Sequence, residues 1–465
     1  MQTLAKPYYK LKLQNITGFF LGENLTVMIV GAGAREHTIS AAYEKSKRVG
    51  KIIVAPGNDF IAFGRKKEVV IEKSANLKDA NSFLEIARKH KPDLIDVAQD
   101  DALAAGTVDL LEKEGFKVFG PRKSAARIEW DKKWSREFMQ RNRIPMPEFK
   151  TFNAENEAIK YVNELYSQSG ERMVFVKASG LCAGKGALKA ECLEEAVQSI
   201  KQMKEFGSSG ETFVIEEGLK GEEFSYYALS DGKSFHAFKS AQDNKRALNF
   251  DEGDQTGGMG AVSPAKVTQE LSEEIEREQI AKAINGMKKE NNPYVGILYL
   301  GGVSVNGKPM NIEYNARWGD PECQAVLPSV QTDYAEIVLN CLDGKLDEVK
   351  IGQDDKVRVC VVGASKGYPN DYSKVKGKEI FGLEEAMKAK NALLFSAGIE
   401  AKDGKFFAKG GRLFSIVGEG EDIVKARQAA YSAIALINIE GNNLHYRTDI
   451  GWRDVERFLE KRSEQ

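Results

Sequence analysis

The chain has few of the residues on which many catalytic and structural devices depend. It carries five cysteines in 465 residues, Cys182, Cys192, Cys323, Cys341 and Cys360, scattered, odd in number and never at CxxC spacing. That excludes a zinc ribbon or a disulfide framework and fits reduced thiols in the cytoplasm. Four histidines leave little room for imidazole-based chemistry, and no Ser–His–acid or Cys–His pairing is apparent. There is no excess of either charge, with 67 Lys and Arg against 68 Asp and Glu and a net charge of −1. Nucleic-acid and membrane-surface binders carry a basic surplus, so any anion site must be local. No apolar run approaches the roughly 18 residues of a membrane span. Residues 1–24 contain Lys6, Lys10 and Lys12 but no apolar core, so they read as an arm ahead of the first strand and not as a secretion signal. Internal repeats and low-complexity segments are also missing.

What is present suits a soluble protein of about three domains, with 42% hydrophobic and 29% charged residues. From TVMIV at 26–30 to FKVFG at 116–120, short apolar runs alternate with helical stretches, one of them spanning 101–114. That order implies a parallel α/β sheet, whose ligands collect at the carboxyl ends of the strands. Gly31 to His37, Ala55 to Asn58 and Gln99 to Asp101 therefore share one rim. The string GAGAREH at 31–37 is not a dinucleotide fingerprint, because Glu36 stands at the third glycine and the second strand ends in Ala55-Pro56-Gly57-Asn58 without a ribose acid. This argues against an oxidoreductase. A helix beginning after Gly33 still offers free N–H groups to a phosphate.

Helical, charged sequence follows Pro121 and stops at Pro145 and Pro147, where a boundary falls. Thr151 to Gly170 reads as a further helix. VFVKASGLCAGKGAL, Val174 to Leu188, then reads as strand, glycine-rich loop, strand. It approaches but does not match the phosphate loop GxxxxGK[ST], and no helix follows it directly. A helix is expected near 267–290, then two apolar strands joined by Asn306-Gly307, a strong hairpin signal. From about 346 the pattern is that of a compact α+β domain.

Magnesium bound to a nucleotide takes hard oxygen ligands from one or two carboxylates, phosphates and water. IEYNARWGDPE supplies Glu313 and Asn315, two apart and so on one face of a strand, with Arg317, Asp320 and Glu322 just beyond. A cation among metal-binding acids points to a second anion, a transferred phosphoryl group or a substrate carboxylate. VIEEGLKGEE at 214–223 offers open backbone groups for a base and Glu222 and Glu223 for a ribose. Lys132, Lys177, Lys185 and Arg246 furnish cations for a triphosphate. Phosphoryl transfer needs no protein nucleophile, which accommodates the missing triads.

Together these segments resemble the phosphoribosylamine–glycine ligase family, also called glycinamide ribonucleotide synthetases, of the ATP-grasp superfamily. GAGAREH, VAPGN, LAAGTVD, VKASGLCAGKG, VIEEGLKGEE, QDNKR, TGGMGAVSP, IEYNARWGDPE, SKGYP and TDIGW follow the family's order from about residue 27 to 453. The resemblance implies an N-terminal parallel α/β domain (25–123), a central ATP-grasp domain (124–345) with a small lid at about 148–216, and a C-terminal α+β domain (346–465). It implies a cytoplasmic monomer that uses ATP and Mg2+ or Mn2+ to activate glycine as glycyl phosphate, which 5-phosphoribosylamine then attacks. By position, Lys132, Lys177 and Lys185 would meet ATP phosphates, Glu216, Glu217, Gly218 and Leu219 the adenine, and Glu223 the ribose. Arg246 and Gln255 would complete the ATP contacts, and Glu313 and Asn315 would hold the metal. Asp243 and Arg317 would serve glycine and, with Lys177, its activation, and Asp320 would be a further substrate contact. Gly33, Ala34, Arg35, Glu36, His37 and Asn58 would receive phosphoribosylamine. The sequence departs from the family pattern at Ala34, at Gln99 to Asp101, at Asn244 where His is usual, and at Gln255 where Asn is usual. The rim substitutions motivate one alternative, an ATP-grasp ligase for a different carboxylate and amine; the second, of another class, is a catalytically silent nucleotide sensor. The retained Lys177, Arg246, Glu313 and Asn315 speak against the second.

Overall fold

The computed structural model describes residues 24–169, 172–182 and 184–463; apart from Asn24, the expected N-terminal arm lies outside them. The first domain is a parallel sheet of β1 (Leu25–Gly31), β2 (Val49–Pro56), β3 (Glu68–Ile71), β4 (Leu94–Val97) and β5 (Val118–Phe119), ordered 3-2-1-4-5. Val27, Met28, Ile29 and Val30 are all fully buried, as the interior strand of a sheet covered on both faces requires. Chain order reverses beside β1, so Gly33, Asn58 and Gln99 stand on one rim as expected. The helix expected through 101–114 is two, Asp100–Ala105 and Thr107–Lys113. Gly106, left-handed with φ 82°, ends the first.

The segment expected as a lid contains an antiparallel sheet ordered Phe149–Phe152, Phe213–Glu217, Val174–Ala178, Ala187–Ala190. The glycine-rich loop joins two paired strands, Val174–Ala178 and Ala187–Ala190. The helix expected over 151–170 is preceded by the edge strand Phe149–Phe152 and spans Glu155–Ser169. Period-two alternation puts Val174, Val176 and Ile215 into a hydrophobic cluster belonging to the lid alone. Lys177 and Glu216 fall on the opposite side of the same sheet.

Facing it is a second antiparallel sheet, Phe235–Ala237, Glu222–Asp231, Val295–Val305 and Lys308–Asn315 in that order, the last two joined through Asn306-Gly307. The helix expected at 267–290 is interrupted: Ser272–Ile275 and Ala281–Lys289 flank a π turn at Glu276–Ile280. That turn aims the fully buried Gln279 at the carbonyls of Pro145 and Pro309. Gln242–Asp243 lies outside this sheet and pairs with Gly260–Ser263, which pairs in turn with Val357–Ser365, in a six-stranded sheet that also holds Arg412–Gly420 and Ala392–Ser396. QDNKR and TGGMGAVSP thus sit where the central and C-terminal regions meet.

Candidate active site

A cleft of 750 Å³ opens between the two antiparallel sheets, walled by Phe175 and Leu188 on the lid and by Leu219 and Glu223 opposite. Its base holds Asp243, Lys245, Arg246 and Gln255. A smaller recess beside it is lined by Lys132, Arg136, Lys177, Glu216 and Glu313.

Lys132 opens the helix Lys132–Arg141, capped by Asp131, whose carboxylate accepts from Trp134 N–H at 3.0 Å. Lys132 N–H donates to Ser179 O at 2.9 Å, fixing the helix start against the end of the lid strand that carries Lys177. The Lys132 ammonium lies 3.1 Å from Glu313 Oε2. One helical turn on, Arg136 donates to both Glu216 oxygens at 2.6 and 2.7 Å, and Lys177 reaches Glu216 Oε2 at 2.7 Å. Glu216 is 2% exposed and Lys177 5%. Burial raises the Glu216 carboxyl, but Arg136 and Lys177 outweigh it and bring it to about 2. Burial lowers the Lys177 ammonium despite Glu216. At Glu313 burial again pushes up, and Lys132, Lys177 and Lys245 together hold the carboxyl well below its usual range.

Of the segment expected at the adenine, only Leu219 lines the larger cleft. Glu216 holds the two cations, and the N–H groups of Glu217 and Gly218 are taken by the carbonyls of Glu148 and Met173 at 2.9 and 2.8 Å. Glu223, expected at the ribose, is bridged by Lys245 at 2.7 Å, and the same ammonium reaches Asp243 at 3.2 Å. Burial, with Glu322 and Glu223 nearby, pushes the Asp243 carboxyl to about 7 against the pull of Lys245. Arg246 and Gln255 face each other across a two-stranded hairpin, and Arg246 Nη1 donates to Gly253 O at 2.8 Å. Lys185 is exposed in the hairpin loop and borders neither cavity.

Glu313 and Asn315 project from one face of their strand, and Arg317 Nη2 donates to Asn315 Oδ1 at 3.2 Å. Arg317 also pairs with the buried Glu129 at 2.6 Å and stands 4.0 Å from Asp100. Asp320 is held by Arg412 at 3.0 Å. Among the described residues no three His, Cys, Asp or Glu side chains gather as a metal cage. A divalent cation here would need ligands from a phosphate as well, as hydrated Mg2+ does. Glu313 and Asn315 fit that role, the first as an ionised carboxylate. The second is an amide that offers its oxygen as a neutral hard donor, with Nδ2 buried without a partner.

The rim of the first domain lies alongside this strand end: a Cβ on Gly33 would be 3.5 Å from Asp320 Oδ2, and Arg35 donates to Trp318 O at 3.0 Å. At the helix N-terminus expected to take a phosphate, a capping contact holds the first residue: Glu36 Oε2 accepts from Gly33 N–H at 2.6 Å, and Arg35 pairs with Glu36 at 2.7 Å. Gly31, with φ 143°, makes this possible, since a Cβ there would lie 2.3 Å from Glu36 Cγ. Ala34 is packed among Ala261, Ala325 and Phe395. His37 Nδ1 accepts from Ser396 N–H at 2.8 Å, while Ser396 Oγ donates to Asn58 Oδ1 at 2.6 Å. Burial, helped by Arg65, lowers the His37 imidazole well below its ordinary range. The side chains of Arg35, Glu36, His37 and Asn58 thus already bind protein groups, two of them on the C-terminal domain.

Sequence reasoning missed Arg136, Lys245 and Glu129. Arg136 stands four residues after Lys132, on the same helical face, and Lys245 lies inside QDNKR, so both carried a local signal. Glu129 had none, and Arg412 was legible only as part of the loop Gly410-Gly411-Arg412, open to a ligand.

Comparison with known proteins agrees with this architecture. The family models for the N, ATP-grasp (A) and C domains of phosphoribosylglycinamide synthetase match residues 25–129, 130–323 and 358–453. The phosphoribosylamine–glycine ligase of Caldanaerobacter subterraneus subsp. tengcongensis is 39% identical over 92% of this chain and 99% of its own length. That of Haemophilus influenzae is 39% identical over 94% and 100%. The crystal structure of the Thermotoga maritima phosphoribosylamine–glycine ligase superposes with a TM-score of 0.76 at 30% identity, covering 92% of this chain and all of that one. The chain belongs to the phosphoribosylamine–glycine ligase family of ATP-grasp enzymes.

Proposed function

We propose that this enzyme joins glycine to 5-phosphoribosylamine at the expense of ATP, forming glycinamide ribonucleotide, ADP and phosphate in purine biosynthesis. The observation that carries the reading is the convergence of Lys132, Lys177 and Glu313 in a recess beside a cleft between two antiparallel sheets, with Asn315 two residues further along the Glu313 strand. ATP would lie in the cleft, its base against Phe175, Leu188 and Leu219 and its ribose at Glu223, which Lys245 releases on binding. Lys132 and Lys177 would receive the phosphates, joined by Arg246. Glu313 and Asn315 would hold Mg2+ or Mn2+, which when bound neutralises phosphate charge. Arg317 would orient the glycine carboxylate, with Asp243 on its ammonium, so that a carboxylate oxygen attacks the γ-phosphorus and ADP leaves. The amine of phosphoribosylamine then attacks the carbonyl of glycyl phosphate, losing a proton as phosphate departs. Closure of the lid over the cleft would keep water from that mixed anhydride. The hydrogen bonds already made by Arg35, Glu36, His37 and Asn58 favour contact with phosphoribosylamine through the backbone of this rim and through Asp320, with those side chains holding the rim in place.

The reading includes a cytoplasmic monomer with the domain limits given above. Five free cysteines support the cytoplasmic setting, and no helix among the described residues is long and apolar enough to cross a membrane. The test is ADP release by purified protein. Strict dependence on both glycine and phosphoribosylamine is expected; equal turnover with another amine would sink the assignment.

A further inference from the structure

The C-terminal helix Trp452–Ser463 reaches the nucleotide cleft from outside the two sheets that form it. Arg453 lines the cleft and donates to Asp251 Oδ2 at 2.6 Å, and its guanidinium lies 4.4 Å from the Trp452 ring centre. Asp251 ends the turn between Arg246 and Gln255, and its other oxygen accepts from the fully buried Arg447 at 2.8 Å. Arg447 is itself fastened by Asp449, which also accepts from Phe250 N–H at 2.7 Å. The hairpin that presents Arg246 and Gln255 is thus tied to the C-terminal segment at consecutive residues.

One helical turn after Arg453, Arg457 grips Glu222 and also bonds Asp454 at 3.0 Å. The other Glu222 oxygen accepts from Gln242 Nε2 at 2.9 Å, and that amide donates in turn to Glu223 O at 2.8 Å. Glu223 and Asp243 share Lys245. The two arginines, four apart on one helical face, therefore hold the two sides of the cleft, the ribose-side acids and the phosphate-side hairpin.

We infer that Arg453 and Arg457 are positioning residues for ATP, by which the C-terminal helix sets the width of the nucleotide cleft. This rests on the cleft being the ATP site. Both ion pairs are partly exposed, with side chains 23–37% accessible. Pairs of that kind add little to stability, so their placement at the cleft calls for another role. Preorganising the groups that meet a ligand strengthens binding without new ligand contacts.

The test measures ADP binding by calorimetry, and KM values for ATP and glycine, in wild type, in the Arg453→Gln/Arg457→Gln double variant and in the Arg→Lys double variant. The Gln variant should bind ADP about ten-fold more weakly, which is about 1.4 kcal/mol. Its KM for ATP should rise in step while KM for glycine stays within about two-fold, and the Lys variant should recover part of the loss. A Gln variant that binds ADP as tightly as wild type overturns this inference alone. Equal rises in both KM values, with no recovery in the Lys variant, overturn it as well, because they mark general loosening. A wild-type chain that binds no ADP overturns the ATP reading and this inference with it.

Discussion

Replacing Glu216 by Gln tests the central charge arrangement most sharply. Two cations, Arg136 and Lys177, meet this one carboxylate at 2.6 to 2.7 Å in a site 2% exposed. The carboxyl stands at about 2 against an ordinary 4.5. At about 1.4 kcal/mol per unit, that difference is on the order of 3 kcal/mol of folding stability. Because the folded value is depressed, the contribution is present above about pH 4.5 and is lost as pH falls toward 2. The figure agrees with the roughly 3–5 kcal/mol lost on breaking a buried pair. The variant should therefore melt on the order of 10 °C lower at pH 7. A functional consequence separates this from simple damage. Burial already lowers Lys177 with Glu216 present, and loss of that carboxylate removes the attraction that opposes burial, so the ammonium is lowered further. ATP should then bind the variant more weakly at pH 8 than at pH 6.5, while wild type shows no such trend, as KM for ATP across that range will reveal. A variant with wild-type KM at both pH values, or one weakened equally at both, refutes the claim that Glu216 keeps Lys177 charged for phosphate.

Asp243, at about pH 7, must be ionised to hold a glycine ammonium. The kcat/KM for glycine should fall about ten-fold per pH unit below 7, as one proton requires, and Asp243→Asn should flatten that limb. Glu313→Ala should lower kcat by about a hundred-fold or more and move the Mg2+ dependence of ADP release to higher concentration, since one of two protein donors is lost. Lys177→Ala should raise KM for ATP more than about ten-fold, whereas Lys185→Ala, which borders neither cavity, should raise it less than about three-fold. Ser396→Ala leaves the buried Asn58 Oδ1 without its 2.6 Å donor and should cost about 1–3 kcal/mol in chemical denaturation.

What was legible in the sequence followed the reach of local patterning. Alternation of short runs gave the parallel sheet of the first domain, and Val174 to Leu188 gave a hairpin because no helical period follows its glycines. The Asn306-Gly307 turn placed Glu313 and Asn315 on one strand face. Strand ends and turns carry the phosphate and metal groups, and such ends are marked by residues close together in the chain. The groups that hold those residues are not. Glu129 meets the backbone at Ala316 from 187 positions away, Arg457 meets Glu222 from 235, and Ser396 meets His37 from 359. An ion pair between distant elements leaves no period in either segment, so neither carries a sign of the other. GAGAREH shows the limit even where a motif is found. Its glycines promised open N–H groups at a helix start, and the structure shows a further use for them: the bare Gly31 leaves room for Glu36 to fold back and take the Gly33 N–H. A glycine read as serving a ligand can serve the chain's own side chain as well, and only the third dimension reveals that second use.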